Sequence, residues 1–391
     1  MYDFDTVIDR TGSGALKYTM MKELFGRSDL IPLWVADMEF ATPPFILKAL
    51  RDRLQHPIMG YTGLPDGYFN TVSDWIFKLH GWKADACHMR YIPGIVKGIG
   101  MVIEAFLKPG DKVIIQTPVY HPFRLVPQAK GHEVVYNPLV PVYDGDRIVT
   151  YRMDFDQLES VIDDNTRLLI LCNPHNPAGI CWSTDTLDRL SEITGRHDMI
   201  VLSDEIHGEM ALFGHKHHPY TADNAITFMA PSKTFNIAGI VSSYVIIQNP
   251  DIRQRFFSYL DGAELDMADI FAPIATMAAY SEEGDVWRRE MLHYVEGNVD
   301  FVDSWLRNNI PSVKCVRPEA SFLVWLDCRE LGLDQKSLVN LFVNGARLAL
   351  NDGEMFSEQG IGFMRMNVGC PRSILATALQ RLKNAIYERC S

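Results

Sequence analysis

The sequence predicts an α/β protein built around one large, mainly parallel β-sheet. From about residue 88 onwards, short apolar segments alternate with amphipathic helical segments, which is typical of βα units. Seven of the apolar segments predict strands, namely MRYIP, KVIIQ, EVVYN, RLLILC, MIVLSD, AITFMA and SYVII. The chain has 391 residues, of which 47% are apolar and 22% charged. It is therefore long enough for about two domains and apolar enough to bury a large core.

Helices are predicted before and between these strands. One of them has Pro44 in its first turn, and apolar residues at four-residue steps indicate that it continues to Leu54. Apolar residues repeated along one face predict further helices over residues 68–79, 94–107 and 183–197.

After about residue 285 the pattern becomes that of a smaller α+β domain. A long helical region precedes three strand candidates, SFLVWLD, RLALN and GFMRMNVG, and a last helix follows them. The first 40 or so residues precede the pattern of the large domain, so we expect them to complete the small domain. The predicted division is a large domain of residues 46–285 and a discontinuous small domain of residues 1–45 and 286–391.

Charge and cysteine content exclude several classes of function. The chain has 37 Lys and Arg against 49 Asp and Glu, a net charge of −12, which disfavours binding to nucleic acid and to anionic lipid. No apolar run is long enough for a membrane span, and the start of the chain lacks the pattern of a secretory signal. Seven cysteines form no C-x-x-C pair, so neither a metal site nor a disulfide framework is predicted. We expect a cytoplasmic protein.

The segment MAPSKTFNIAG places Lys233 among small and apolar residues shortly after a strand. Desolvation there would lower the pKa of its amine and make it a nucleophile toward an aldehyde. A solvated surface lysine is the structural alternative.

Two further segments follow predicted strands. Asp204 ends the strand in VLSDEIH, at the rim where open α/β sheets bind ligands, and could pair with a protonated heterocyclic nitrogen. A capping aspartate is the alternative. Asn176 lies in CNPHNPAG, where two Asn-Pro steps favour a fixed loop that could aim its amide at a ligand oxygen.

The segment YIPGIVKGIG runs from a strand into a helix through Gly94. Free N–H groups at that turn form an anion site suited to a phosphate. Neither a G-x-G-x-x-G motif nor a P-loop motif is present, which disfavours dinucleotide and P-loop binding. Together the four segments supply a phosphate site, a ring-oxygen donor, a pyridinium partner and a nucleophilic lysine, which are the groups that bind pyridoxal phosphate.

With these motifs the chain resembles the fold type I, aminotransferase-like pyridoxal-phosphate enzymes, and within them the cystathionine β-lyases and cysteine C–S lyases of the MalY/PatB group. The resemblance covers nearly the whole chain. It rests on the blocks IDRTGSGALKY, IPLWVADMEFATPP, GYTG, TPVYHPF, NPHNPAG, SDEIH, SKTFNIAG and MRMNVGCPR.

The resemblance implies a role for each matching residue. Lys233 would bind the cofactor covalently, Asp204 would pair with its pyridine nitrogen, and Tyr120 would stack on the ring. Lys233 and Tyr120 are the catalytic candidates. The remaining cofactor-binding candidates are Asn176, Gly94, Ile95, Val96, Ser232, His207 and Tyr61, with Tyr61 reaching the neighbouring subunit of a homodimer that shares its active sites. Arg365 would bind the α-carboxylate of the substrate.

Three positions depart from the pattern of related aminotransferases. His207 stands where they carry tyrosine, Ala230 where they carry serine, and Val241 where they carry arginine. The phosphate contacts are therefore less well specified than Lys233, and His207 can equally be a structural hydrogen-bonding residue.

The implied activity is a carbon–sulfur β-lyase that converts L-cystathionine or related cysteine S-conjugates to pyruvate, ammonia and a thiol, with pyridoxal 5'-phosphate as cofactor. An aminotransferase is the nearest alternative, because the first steps are shared. A regulatory or binding protein that uses the same fold is the alternative from another class.

Overall fold

The computed structural model describes the backbone of residues 1–390 and the side chains of residues 1–388. Its helices, α1 to α13 in chain order, are Leu16–Thr19, Met21–Phe25, Pro44–Leu54, Tyr68–His80, Ile95–Phe106, Pro122–Ala129, Phe155–Val161, Thr184–Arg196, Pro250–Gly262, Phe271–Ala279, Glu282–Asn309, Gln335–Asn340 and Arg372–Cys390. The predicted helices are thus present, and the long helical region after residue 285 is α11.

The strands alternate with these helices through the middle of the chain. In chain order, β1 to β15 are Ile31–Pro32, Met89–Ile92, Lys112–Ile115, Glu133–Tyr136, Val140–Asp144, Arg147–Arg152, Thr166–Cys172, Ile200–Asp204, Ala225–Met229, Ser243–Ile246, Lys314–Val316, Leu323–Asp327, Leu348–Ala349, Asn351–Asp352 and Phe363–Asn367.

All seven predicted strands of the large domain belong to one sheet, in the order β2-β10-β9-β8-β7-β3-β4. β10 runs antiparallel to both of its neighbours, and the other adjacent pairs are parallel. The prediction of a seven-stranded, mainly parallel sheet is confirmed. The antiparallel hairpin of β5 and β6 was not predicted.

Helices cover both faces of this sheet. Alternate residues of β7 belong to different apolar clusters: Leu168 shares one with Ile99 of α5 and Phe256 of α9, whereas Leu169 shares another with Leu190 of α8. Because both faces are buried, the strand is a nearly continuous apolar run, as is usual for parallel sheets. This is why these strands were visible in the sequence.

Strands from both ends of the chain pair with each other outside the large sheet. β1, near the start of the chain, pairs in parallel with β13. The other C-terminal strands form an antiparallel sheet of order β11-β12-β15-β14. Association of the two chain ends was expected, whereas the domain boundaries at residues 45 and 285 stay a prediction.

Within the described part of the chain no helix is long and apolar enough to cross a membrane. The cysteines Cys87, Cys172, Cys181, Cys315, Cys328 and Cys370 are all free, and the side chain of Cys390 lies outside the described residues.

Residues 34–40, here called the bridging segment, connect the two parts of the fold. On one side, Asn236 accepts a hydrogen bond from Met38 N at 2.9 Å and donates to Met38 O and Phe40 O at 3.0 and 2.8 Å. On the other side, Asn367 of β15 donates to Val35 O and Asp37 O, both at 2.6 Å. Two asparagines, one in the loop that follows β9 and one in β15, therefore hold this segment from two sides.

We predict that Asn367→Leu lowers the free energy of unfolding by about 2 to 4 kcal/mol. The substitution keeps the number and branching of the side-chain heavy atoms, but the backbone groups Val35 O and Gly369 N lose their partner. Urea denaturation of the variant and the wild type measures the change. Asn384→Leu on the exposed face of α13 is the control, with an expected change within about 0.5 kcal/mol. Equal losses in both variants would contradict the prediction.

Candidate active site

The candidate active site lies where the central parallel strands of the large sheet end. β7, β8 and β9 are neighbours, with Cys172 paired to Asp204 and Asp204 paired to Phe228. The chain beyond β7 carries Asn176, and the chain beyond β9 carries Lys233. Because parallel strands end at one edge, these side chains are collected at the rim where open α/β sheets bind ligands.

The amine of Lys233 is half-buried and contacts the bridging segment. Its Nζ donates to the backbone oxygen of Ala36 at 2.8 Å. Burial lowers the pKa of Lys233 to about 8, although the charges of Asp37 and Asp204 raise it. The nearby charge of Arg365 adds to the lowering. A substantial fraction of the amine is therefore neutral near pH 8, as a nucleophile or base requires.

Asp204 is a buried carboxylate at the end of β8, 6% exposed. Its Oδ1 accepts a hydrogen bond from Ile206 N at 3.1 Å. Burial raises the pKa of Asp204 to about 7, and the charge of Lys233 opposes this effect. A cation brought against this carboxylate would stabilise its ionised form.

Arg365 of β15 is 4% exposed and has no acidic partner among the described residues. It donates to Asn176 Oδ1 at 2.9 Å, to Asn351 Oδ1 at 2.6 Å and to Trp34 O at 3.1 Å. Its Nε is buried without a hydrogen-bond partner. Burial lowers its pKa to about 10, so the guanidinium still carries its charge at neutral pH. A buried arginine held only by neutral oxygens favours a carboxylate ligand.

Asn176 and Tyr120 lie beside these charged groups. Asn176 is bonded to Arg365 through its side-chain oxygen, and both are buried. Tyr120 is half-buried, and burial raises its pKa. Arg365 and Asp204 both act on the phenol electrostatically, in opposite directions, so Tyr120 lies near both. The structure thus brings together Lys233, Asp204, Asn176, Tyr120 and Arg365.

The turn at Gly94 leads from β2 into α5. Gly94 has φ of 103°, a conformation that favours glycine, and a Cβ there would lie 3.3 Å from Val241 Cγ1. The N–H groups of Ile95 and Val96 begin the helix and have no intrahelical acceptor. Val241 therefore faces this turn, in the position where related aminotransferases would supply an arginine.

Three other predicted residues differ in their surroundings. Ser232 is buried next to Lys233. His207 is buried, its Nδ1 has no partner, and its ring meets Phe322 at 6.0 Å between centroids. Burial lowers the pKa of His207 to about 3, and the charges of Lys233 and Arg365 contribute, so its ring is neutral and lies near both. Tyr61, in contrast, is fully exposed and contacts none of this group.

Sequence reasoning missed several residues that hold the site. Asn351 orients Arg365, and Asp37 sets much of the electrostatic environment of Lys233. Burial alone would raise the pKa of Asp37, but Lys17 and Arg10 lower it below the usual range. Asp37 lies in the block IPLWVADMEFATPP, which was noticed only as a resemblance. Isolated polar residues in that block give no local signal of the distant side chains they meet.

The site lies apart from a sizeable cavity of the large domain. A cavity of about 680 Å³ lies at the opposite edge of the large sheet, near the starts of β3, β7 and β8. Its lining includes Lys108, Arg167 and Asp223 but none of the predicted site residues. The candidate site lies at the other edge, where parallel sheets bind their ligands.

Two relatives and one solved structure are similar to nearly the whole chain. The family model for aminotransferase class I and II matches residues 28–382. Cystathionine beta-lyase PatB of Bacillus subtilis (strain 168) is 39% identical, over 98% of this chain and 100% of PatB. Protein MalY of Escherichia coli (strain K12) is 31% identical, over 99% of each chain. The crystal structure of cystalysin from Treponema denticola, which contains a pyridoxal 5'-phosphate cofactor, has 34% identity and a TM-score of 0.94, over 100% of both chains.

We predict that Asp37→Asn lowers the pKa of Lys233 further below its value of about 8. The substitution removes the carboxylate charge that most strongly favours the protonated amine. Since only the neutral amine is acylated, labelling of Lys233 in the ligand-free protein should begin at lower pH, as followed by peptide mass spectrometry. Asp52→Asn, on exposed α3, should leave the labelling profile unchanged. An unchanged profile in Asp37→Asn would contradict the electrostatic role.

Proposed function

We propose a function from the premise that this chain belongs to the aminotransferase class I and II family. It is a pyridoxal 5'-phosphate-dependent lyase that cleaves the carbon–sulfur bond of L-cystathionine or related cysteine S-conjugates. The full-length similarity to PatB and to cystalysin supports this activity. The observation that carries it is the placement of a partly neutral amine, Lys233, beside an arginine, Arg365, that has no acidic partner among the described residues. With L-cystathionine, one water is consumed and homocysteine, pyruvate and ammonia are formed.

The donors at the site fit the cofactor. Asp204 would hold its protonated ring nitrogen, because a buried carboxylate with a raised pKa is stabilised by such a cation. Lys233 would bind it covalently through Nζ. Asn176 would lie near its phenolic oxygen, and Tyr120 would stack on its ring.

The phosphate would be held at the Gly94 turn. The N–H groups of Ile95 and Val96 begin α5, where the helix dipole favours an anion, and Ser232 can add a hydroxyl. Val241 contributes no charge here, so binding at this turn would depend on neutral donors and the helix dipole. His207, neutral and with a free Nδ1, can hydrogen-bond at the buried side of the site.

The residues of the chain would then direct the reaction. The chemistry that the bound cofactor supplies is withdrawal of electrons from the substrate Cα. Arg365 would bind the α-carboxylate and orient the Cα–H bond toward Lys233. Once exchange with the substrate amine has freed it, Lys233 Nζ would take the proton from Cα, since its lowered pKa leaves neutral amine available. The substrate thiolate then leaves from Cβ.

We also propose a homodimer in the cytoplasm, with division into the domains 46–285 and 1–45 with 286–391. Complete exposure of Tyr61, next to the exposed Ile58 and Met59, supports a role for this loop in contact with a second copy. The six free cysteines of the described residues support a reducing compartment.

Lys233→Ala should reduce pyruvate release from L-cystathionine by roughly 10²- to 10⁴-fold or more, because general base catalysis and cofactor attachment are both lost. Coupled detection of pyruvate measures this loss. Lys216→Ala, at an exposed lysine, is the control and should retain wild-type turnover. Substantial pyruvate release by Lys233→Ala would refute the assignment. Glutamate formation from an amino acid and 2-oxoglutarate, without pyruvate from cystathionine, would favour an aminotransferase instead.

Arg365→Ala should raise KM for L-cystathionine by roughly 10- to 100-fold, because a charge-assisted bond to the α-carboxylate is removed. Steady-state pyruvate assays separate KM from kcat. Arg51→Ala removes a positive charge on exposed α3 and should leave KM unchanged. An unchanged KM in Arg365→Ala would exclude its role in carboxylate binding.

A further inference from the structure

His121 is a polar residue at the site that the proposed mechanism does not use. It follows Tyr120 directly, and the two rings meet at 5.1 Å between centroids with an interplanar angle of 67°. The side chain is half-buried at the start of α6, and its Nδ1 is buried without a hydrogen-bond partner. A polar atom left without a partner costs free energy unless a ligand or water satisfies it.

Two arginines act on this ring. Burial lowers the pKa of His121 to about 4, and the charges of Arg365 and Arg124 lower it further. Both guanidinium groups therefore lie near His121. Because the imidazole is neutral at pH 7, it can donate one N–H to an anion without adding charge.

Arg124 is half-buried in the first turn of α6. No salt bridge, hydrogen bond or aromatic contact joins its side chain to any described residue. Many other arginines of the described residues are paired with acids, for example Arg147 with Asp303 and Arg10 with Asp37. In a protein with net charge −12, an arginine without an acidic partner beside the candidate active site is open to an anionic ligand.

We propose that Arg124 and His121 bind a second carboxylate, at the far end of the sulfur substituent of the substrate. This inference rests on the proposed function, because Arg365 is taken to bind the α-carboxylate. The preferred substrates are then cysteine S-conjugates whose substituent ends in a carboxylate, L-cystathionine among them. Conjugates with short, uncharged substituents leave Arg124 and His121 Nδ1 without a ligand and bind less tightly.

Two substrates of equal chain length test the proposal. S-(3-carboxypropyl)-L-cysteine places a carboxylate where L-cystathionine has its distal one, whereas S-butyl-L-cysteine has a methyl group there. The wild-type holoenzyme should have the higher kcat/KM for the carboxylate, mainly through a lower KM. Arg124→Gln should lower kcat/KM for the carboxypropyl conjugate by roughly 10- to 100-fold and change that for the butyl conjugate by less than about 2-fold.

Two further variants separate local from general effects. His121→Phe keeps an aromatic ring against Tyr120 but removes the N–H donor, so it should weaken selection for the carboxylate without a comparable loss on the butyl conjugate. Arg51→Gln removes the same charge from exposed α3 and should leave the selection unchanged.

Failure of the second carboxylate site and failure of the lyase proposal give different results in these assays. Equal kcat/KM for the two conjugates in the wild type, or equal losses for both in Arg124→Gln, would overturn the second carboxylate site while pyruvate release upholds the lyase. If neither conjugate releases pyruvate, the lyase proposal fails, and calorimetric dissociation constants of the same conjugates decide the site. The second carboxylate site is supported if the carboxypropyl conjugate binds more tightly than the butyl conjugate and Arg124→Gln removes this difference. Equal binding of the two conjugates to the wild type overturns it.

Discussion

The candidate site depends on the bridging segment, residues 34–40, which is hydrogen-bonded both to the loop after β9 and to β15. Asn236, in the loop after β9 of the large sheet, holds it from one side, and Asn367 of β15 holds it from the other. Backbone oxygens of the same stretch then accept hydrogen bonds from Lys233 and Arg365. The amine and the guanidinium are therefore positioned against one short piece of backbone, although they lie far apart in sequence. Because every one of these bonds is at least partly buried, loss of a partner is costly.

The charged groups of the site, rather than the net charge of the chain, set its electrostatic environment. The chain carries a net charge of −12, yet Lys233 and Arg365 lie together with Asp204 and Asp37 in a partly desolvated group. Burial is the largest influence on the pKa of Lys233, Asp204 and Arg365, and in each case it disfavours the charged form. A ligand with one cationic and two anionic groups would pair with the buried charged side chains of the site. In the free protein, neutral atoms stabilise these charges only in part.

The sequence predicted the large sheet well because of how parallel strands are buried. Strands covered on both faces are continuous apolar runs, and all seven were recognised. The hairpin of β5 and β6 was missed because it is a partly exposed two-stranded element without such runs. Lys233, Asp204 and Asn176 were found because each follows one of the recognised strands. Asn351 and Asp37 were not, since nothing near them in sequence marks the distant partners they meet.

By itself, the sequence determined the fold class, the strands of the large sheet and the residue types that can bind a phosphorylated pyridine, because these follow from local apolar pattern and strand ends. Only the tertiary structure decided which polar groups share one environment. Desolvation of Lys233 and Asp204, the lack of an acidic partner for Arg365 and the position of Arg365 near His121 all depend on contacts between distant segments. The physical reason is that burial and charge act through space, over distances that bear no relation to separation along the chain.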